Sequence, residues 1–138
     1  MASVGGESYG GLMTTLHVQR VYDPPEGDGF RVLVDRLWPR GVTKEAAAVD
    51  LWAKELCPSD ELRRWYHHDP DARFEEFTGR YRAELDSDDT SGVVVELRRK
   101  EDVVLLTAVN DPDHSHVTVL SDWLAGQGFT TDGASRRG

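Results

Sequence analysis

Apolar and polar positions along the chain predict three strands. LHVQRVYD (16–23) alternates apolar and polar residues, and FRVLVDRL (30–37) continues the same two-residue period. Because Leu33 lies on the otherwise polar side of the second segment, that strand is predicted to be internal to a sheet. VVLLTAV (103–109) is a continuous apolar run, which is typical of a buried strand.

Helical patterns separate these strands. Ser59 and Asp69 are suitable N-caps for two successive helices, and Pro70 fits the first position of the second. The stretch 43–56 is compatible with one helix capped by Thr43, or with a short helix and then an extended piece, and we favour the latter. VVVELRRK (93–100) is predicted helical, with a strand as the alternative, and the last helix, 117–128, ends at Gly126 or Gly128.

Strands that alternate with helices predict an α/β domain. We expect a small, mostly parallel sheet of about three to five strands, flanked by helices in a Rossmann-like three-layer arrangement. The chain has 138 residues, 38% of them hydrophobic, which suffices for one core. We assign residues 15–127 to this domain, 1–14 to a flexible leader and 128–138 to a flexible tail.

Charge and cysteine content narrow the classes of function. A net charge of −9 and a pI near 4.9 favour solubility and disfavour general nucleic-acid binding. Cys57 is the single cysteine, so an internal disulfide and a cysteine-based metal site are excluded. The first 16 residues lack the pattern of a secretory signal or a membrane anchor, so we expect a cytoplasmic protein with no membrane partner. The pattern indicates no particular oligomeric state.

One short segment departs from the acidic character of the chain. Residues 30–44 carry four basic side chains and one acidic one, and most of them lie in DRLWPRG (35–41), directly after the second strand. Arg36 and Arg40 can present planar forks to a carboxylate or phosphate, and Trp38 offers a flat face for a ring. Asp35 is the best candidate in this segment for proton transfer. The alternative is that Arg36 pairs with an internal acid and that Trp38 belongs to the core.

A second polar loop, NDPDHSH (110–116), follows the apolar strand 103–109. If the two strands are parallel neighbours, both loops converge on one site at the carboxyl edge of the sheet. The spacing of His114 and His116 and the restriction at Pro112 argue against a metal site, and we predict none. His116 is instead a candidate general acid or base, or a donor to phosphate.

Common signatures of nucleotide and hydrolase chemistry are absent from the sequence. It contains no Walker loop, no GxGxxG and no GxSxG motif. No cofactor is therefore predicted. Cys57, followed by Pro58, is interpreted as a small buried thiol because no base lies beside it in the sequence.

Four segments together resemble the YeaO-like branch of the domain of unknown function 488 family. They are RVYDPPEGDGFRVLVDRLWPRG (20–41), DLWAKELCPSDELRRWY (50–66), RFEEFTGRYRAEL (73–85) and VVLLTAVNDPDHSHVTVLSDWL (103–124). The resemblance covers about residues 16–125 and implies no particular reaction. By position, the signature residues of the family fall on Arg20, Tyr22, Asp23, Asp35, Arg36, Trp38, Arg40, Gly41, Lys54, Ser59 and His116. The chain departs from the pattern of its relatives at Asn110 and Ser115.

These observations support two hypotheses about function. The first is a small cytoplasmic enzyme acting on an anionic small molecule or nucleotide-like ligand. In it Arg36 and Arg40 bind the anion, Trp38 packs on the ligand, and Asp35 or His116 moves a proton. Arg20 and Lys54 would assist from adjacent elements.

The second hypothesis is a non-catalytic module that binds an anion or a nucleic-acid feature through the same arginines. It predicts a flat, exposed DRLWPRG segment. A purely structural alternative pairs Arg36 and Arg40 with acids of the helix predicted at 69–85.

Overall fold

A computed structural model describes residues 13–24, 27, 29–110 and 115–131. In chain order the elements are β1 (Thr15–Arg20), β2 (Phe30–Leu33), α1 (Lys44–Ala47), β3 (Leu51–Trp52), α2 (Asp60–His67), α3 (Pro70–Leu85), α4 (Ser91–Arg98), β4 (Asp102–Thr107), α5 (His116–Gly126) and β5 (Thr130–Thr131). Short 3-10 turns lie at Lys54–Leu56 and Asp88–Thr90. Of the predicted leader, only Met13 and Thr14 belong to the described residues.

The five strands form one parallel sheet in the order β3-β2-β4-β1-β5. This confirms the predicted α/β class and the internal position of β2, which lies between β3 and β4. Leu33 is opposite Leu106 in the β2–β4 register, so these two strands end side by side at the carboxyl edge. The loops that follow β2 and β4 therefore leave the sheet from neighbouring positions, as predicted.

The sheet is covered on both faces, although unequally. On one face Val32, Val34 and Leu105 pack against the apolar sides of α2, α3, α4 and α5. The opposite face, which includes Leu33 and Leu106, is covered by the short α1 and by the segment around Trp38 and Val49. The two layers bury apolar surface on each side of the sheet, which accounts for the three-layer arrangement.

Three predicted caps begin three of the helices. The side chains of Thr43, Ser59 and Asp69 accept hydrogen bonds from backbone N–H groups in the first turns of α1, α2 and α3. The backbone N–H and the hydroxyl of Ser59 also donate to the carboxylate of Glu84 at 2.8 and 2.6 Å. This contact joins the start of α2 to the end of α3.

Two boundaries differ from the prediction. β2 ends at Leu33 rather than continuing to residue 37. Val34 still donates to the Leu106 carbonyl, but the next donor of β4, the Ala108 N–H, binds the side chain of Asp35 instead of a backbone carbonyl. β5 was not predicted, because TT is too short to show a period. It pairs with β1, and the adjacent Phe129 is buried in the core, so the described sheet reaches residue 131, past the predicted boundary at 127.

Among the described helices, none combines the length and the apolar character needed to span a membrane.

Candidate functional site

A cavity of about 490 Å³ opens at the carboxyl edge of the sheet, beside the ends of β2 and β4. This is the edge at which open parallel sheets place their ligands. The segment 35–40 lines one part of the cavity, residues of α2 line another, and His116, the first residue of α5, lines a third. Its volume lies within the range of small-molecule sites.

Asp35 lies at the base of this cavity and joins three parts of the fold. Its Oδ1 accepts a hydrogen bond from the Thr107 hydroxyl at 2.7 Å, and its Oδ2 accepts one from the Ala108 backbone N–H at 2.7 Å. His116 Nε2 lies 3.3 Å from Oδ1, and both side chains are only 14% exposed. The Asp35 carboxylate thus holds the end of β4 and the start of α5 against the end of β2.

The surroundings of Asp35 favour its ionised form. Burial alone raises the pKa of a carboxyl group. At Asp35 the hydrogen bond and charge of His116, together with the bonds from Ala108 and Thr107, outweigh burial, so the pKa is lowered below its ordinary value. Asp35 is therefore a weaker base than an unperturbed aspartate, and its contact with Nε2 orients the His116 ring.

His116 is held by two acceptors on the same ring nitrogen. Its Nε2 lies 2.9 Å from the Val34 carbonyl and 3.3 Å from Asp35. Since a carbonyl can only accept, Nε2 carries a proton. No described residue forms a hydrogen bond with Nδ1, the other ring nitrogen.

Arg36 and Arg40 line the cavity, and neither forms an ion pair or a side-chain hydrogen bond with any described residue. The described ion pairs of α3 instead include that between Arg80 and Glu76. The structural alternative, in which Arg36 and Arg40 pair with acids of this helix, is therefore wrong for the described residues. Both guanidiniums keep their donors for another partner.

The backbone of this loop is fixed by contacts of its aromatic residue and by one glycine. Trp38 Nε1 donates to the Val42 carbonyl at 2.7 Å, and the Trp38 ring packs edge-on against Trp52 with centroids 5.4 Å apart. Gly41 has a φ of 76°, which disfavours a residue with a side chain. Trp38 is thus both a packing residue and part of the cavity lining.

Two predicted ligand-binding residues do not line the cavity. Arg20 donates to the Val109 carbonyl at 3.1 Å and to Asn110 Oδ1 at 3.3 Å, so it supports the loop after β4. Lys54 is exposed, with Nζ 4.2 Å from the ring centroid of Trp52. The structure brings together Asp35, Arg36, Trp38, Arg40 and His116.

The contribution of α2 to the cavity was not predicted from the sequence. Arg63, Tyr66 and His67 line the cavity from this helix. Partial desolvation, followed by the positive charges of Arg63 and His116, lowers the pKa of His67. The segment DELRRWYHH showed these residue types, but only the tertiary packing of α2 places them beside the loop after β2.

Within the described part of the chain, no three His, Cys, Asp or Glu side chains are grouped to hold a metal ion. Asp111, Asp113 and His114 of the loop NDPDHSH lie outside the described residues. Cys57 is buried, as interpreted from the sequence, and burial raises its pKa to about 12.

A family model and several known proteins match most of the length of this chain. A family model described as the inactive DUF488-N3 subclade matches residues 15–137. Uncharacterized protein Rv3073c of Mycobacterium tuberculosis is 44% identical over 118 residues, which cover 83% of this chain and 97% of that protein. Uncharacterized protein YeaO of Escherichia coli is 40% identical over 111 residues, which cover 79% and 96%.

No solved structure matches the chain. The family model spans the described domain, including the loop 35–41 and His116, and both relatives match most of the chain. The chain therefore belongs to the YeaO-like branch of the DUF488 family.

Proposed function

We propose that the protein binds an anionic small molecule in the cavity at the carboxyl edge of its sheet. The observation that carries the proposal is that Arg36 and Arg40 line one cavity without a partner among the described residues. Guanidinium groups bind carboxylates and phosphates through paired N–H donors. An anion between them would also reduce the mutual repulsion of like charges that line one space.

Binding without turnover is the form of this function that we favour. The description of the matching subclade as inactive supports it. So does the state of Asp35, whose oxygens are already engaged by Thr107, Ala108 and His116, and whose pKa is lowered. In this proposal Asp35 holds the cavity in shape, and Arg36 and Arg40 bind the ligand.

The enzyme favoured from the sequence is the second candidate, and the Asp35–His116 pair supports it. Asp35 would orient the ring, while His116 Nδ1 would exchange a proton with the bound molecule. His116→Gln tests this candidate. A hydrolysis or transfer activity found with a panel of phosphate esters and carboxylic acids should fall at least 100-fold in this variant, with ligand affinity retained.

Anion titration of the full chain tests the primary proposal. Inorganic phosphate, sulfate and a panel of nucleotides would be titrated by isothermal calorimetry and followed by NMR. We expect Arg36→Ala and Arg40→Ala each to weaken binding roughly 10-fold or more, because a hydrogen bond to a charged group contributes about 1.5–3 kcal/mol.

Arg82→Ala is the matched control. Arg82 is exposed on α3, away from the cavity lining, so this variant removes the same charge and should change affinity less than twofold. Absence of binding by every anion tested, or equal effects of Arg36→Ala and Arg82→Ala, would contradict the proposal.

A further inference from the structure

Most of the cavity wall is apolar, although its cations attract an anion. The apolar and aromatic part of the lining includes Leu37, Trp38, Pro39, Tyr66, Phe77 and Val109. An inorganic anion in a space of about 490 Å³ would leave this surface in contact with water. The composition of the wall therefore matches a larger ligand with an apolar body.

Two side chains on this wall have groups that no described residue covers or binds. Leu37 is 60% exposed, one of the few large apolar side chains of the described chain left in water, and it lines the cavity. The Tyr66 hydroxyl has no hydrogen-bond partner among the described residues. Burial, with a smaller effect of Asp71, raises the Tyr66 pKa, so this hydroxyl remains a donor at neutral pH.

The aromatic part of the wall contains a stacked pair of rings. Tyr66 stacks on Phe77 with ring centroids 4.2 Å apart and an interplanar angle of 22°. Phe77 is 1% exposed and is held between Tyr66 and the buried Tyr81. A planar ring is the shape that packs best against such a surface.

A further cation reaches the cavity from α2. One terminal nitrogen of Arg63 donates to Asp60 at 2.8 Å, whereas its buried Nε has no acceptor among the described residues. The Nε atom is itself out of a ligand's reach, but the Arg63 side chain is 27% exposed and lines the cavity. Arg63 therefore adds a third positive charge to those of Arg36 and Arg40.

From these contacts we infer that the ligand is an aromatic anion, a planar ring system that carries one carboxylate or phosphate group. Its charged group binds the guanidiniums of Arg36, Arg40 and Arg63, and its ring packs against the apolar lining that includes Tyr66 and Leu37. This inference rests on the proposed anion-binding function and specifies the class of molecule bound.

The experiment compares matched probes on the full chain by calorimetry. The aromatic anions are 1-naphthyl phosphate and 1-naphthoate, the simple anions are inorganic phosphate and acetate, and the neutral probe is 1-naphthalenemethanol. We expect one of the aromatic anions to bind at least tenfold more tightly than its simple counterpart and than the neutral probe. The arm that binds identifies whether the charged group is a phosphate or a carboxylate.

Two variants assign the gain to the apolar wall. Leu37→Ser and Tyr66→Leu should each reduce the affinity for the aromatic anion by about threefold or more, and by a larger factor than they reduce the affinity for the simple anion. Since Leu37 is mostly exposed, Leu37→Ser folds even if Tyr66→Leu does not.

The outcomes separate this inference from the function on which it rests. Equal affinity for simple and aromatic anions would overturn the inference and leave anion binding in place. Tighter binding of the neutral alcohol would overturn it as well. If no anion binds, the inference and the proposed function both fail.

Discussion

Replacement of the Asp35 carboxylate gives a direct measure of the network below the cavity. Asp35→Asn keeps the shape of the side chain but offers one acceptor in place of two charged oxygens. Its carbonyl can retain the bond from the Ala108 N–H, whereas its NH₂ then points toward Thr107 and toward the protonated Nε2 of His116. The Thr107 hydroxyl can rotate and accept, but the His116 donor cannot.

The expected cost follows from these contacts. The variant loses hydrogen bonds to a charged group, and its NH₂ faces the N–H donor of His116. Together these changes should lower the free energy of unfolding by about 2–4 kcal/mol. A domain of this size has a total stability of about 5–15 kcal/mol, so the change is large. Urea denaturation followed by tryptophan fluorescence measures it, since the chain contains four tryptophans.

The effect of Asp35→Asn should depend on pH with a definite sign. Because the folded-state pKa of Asp35 is lowered, its stabilisation is fully present above the unfolded value of about 3.9 and is lost as pH falls through the folded value. The difference in stability between the wild type and Asp35→Asn should therefore be largest near pH 7 and shrink in acid.

Asp122→Asn is the control, because Asp122 is exposed on α5 and should contribute less than about 0.5 kcal/mol. A cost for Asp35→Asn equal to that control, or one that stays constant from pH 7 to below the folded pKa, would refute the reasoning.

Two further predictions concern residues outside the cavity. Arg31 is 6% exposed, and its guanidinium donates to the carbonyls of Ala47 and Ala48. Arg31→Met should therefore lower the free energy of unfolding, measured by urea denaturation, by about 2–4 kcal/mol. A change below about 0.5 kcal/mol would contradict this role. Burial raises the pKa of Cys57 to about 12. Ellman's reagent at pH 8 should therefore modify the thiol of the native protein at least 100-fold more slowly than the thiol of the unfolded protein. Rapid reaction of the native protein would show that the thiol is accessible.

Much of the fold could be predicted because the local signals agree with one another. The apolar run of β4, the caps Ser59 and Asp69, and Pro70 at the start of α3 each specify one conformation. β5 could not be predicted, because it is defined by its pairing with β1 and not by a pattern of its own.

Most of the site residues that could be predicted from the sequence lie together in one short segment. DRLWPRG marked Asp35, Arg36, Trp38 and Arg40 because its cations stand out in an acidic chain. The part of the wall contributed by Tyr66 depends on how α2 packs against α3, which no local period encodes. Lys54 was named for its charge, but its partner is the ring of Trp52.

The last backbone hydrogen bond between β2 and β4 is followed by a side-chain contact that affects the entrance of the cavity. Val34 still donates to Leu106, but the next donor of β4, the Ala108 N–H, is taken by a side chain rather than by the neighbouring backbone. The carboxylate acts as a spacer that lets the two main chains diverge without leaving an amide unpaired. Asp35 thereby takes the place of a backbone pairing at the entrance, and a longer or shorter side chain at this position would alter the gap between the two strands.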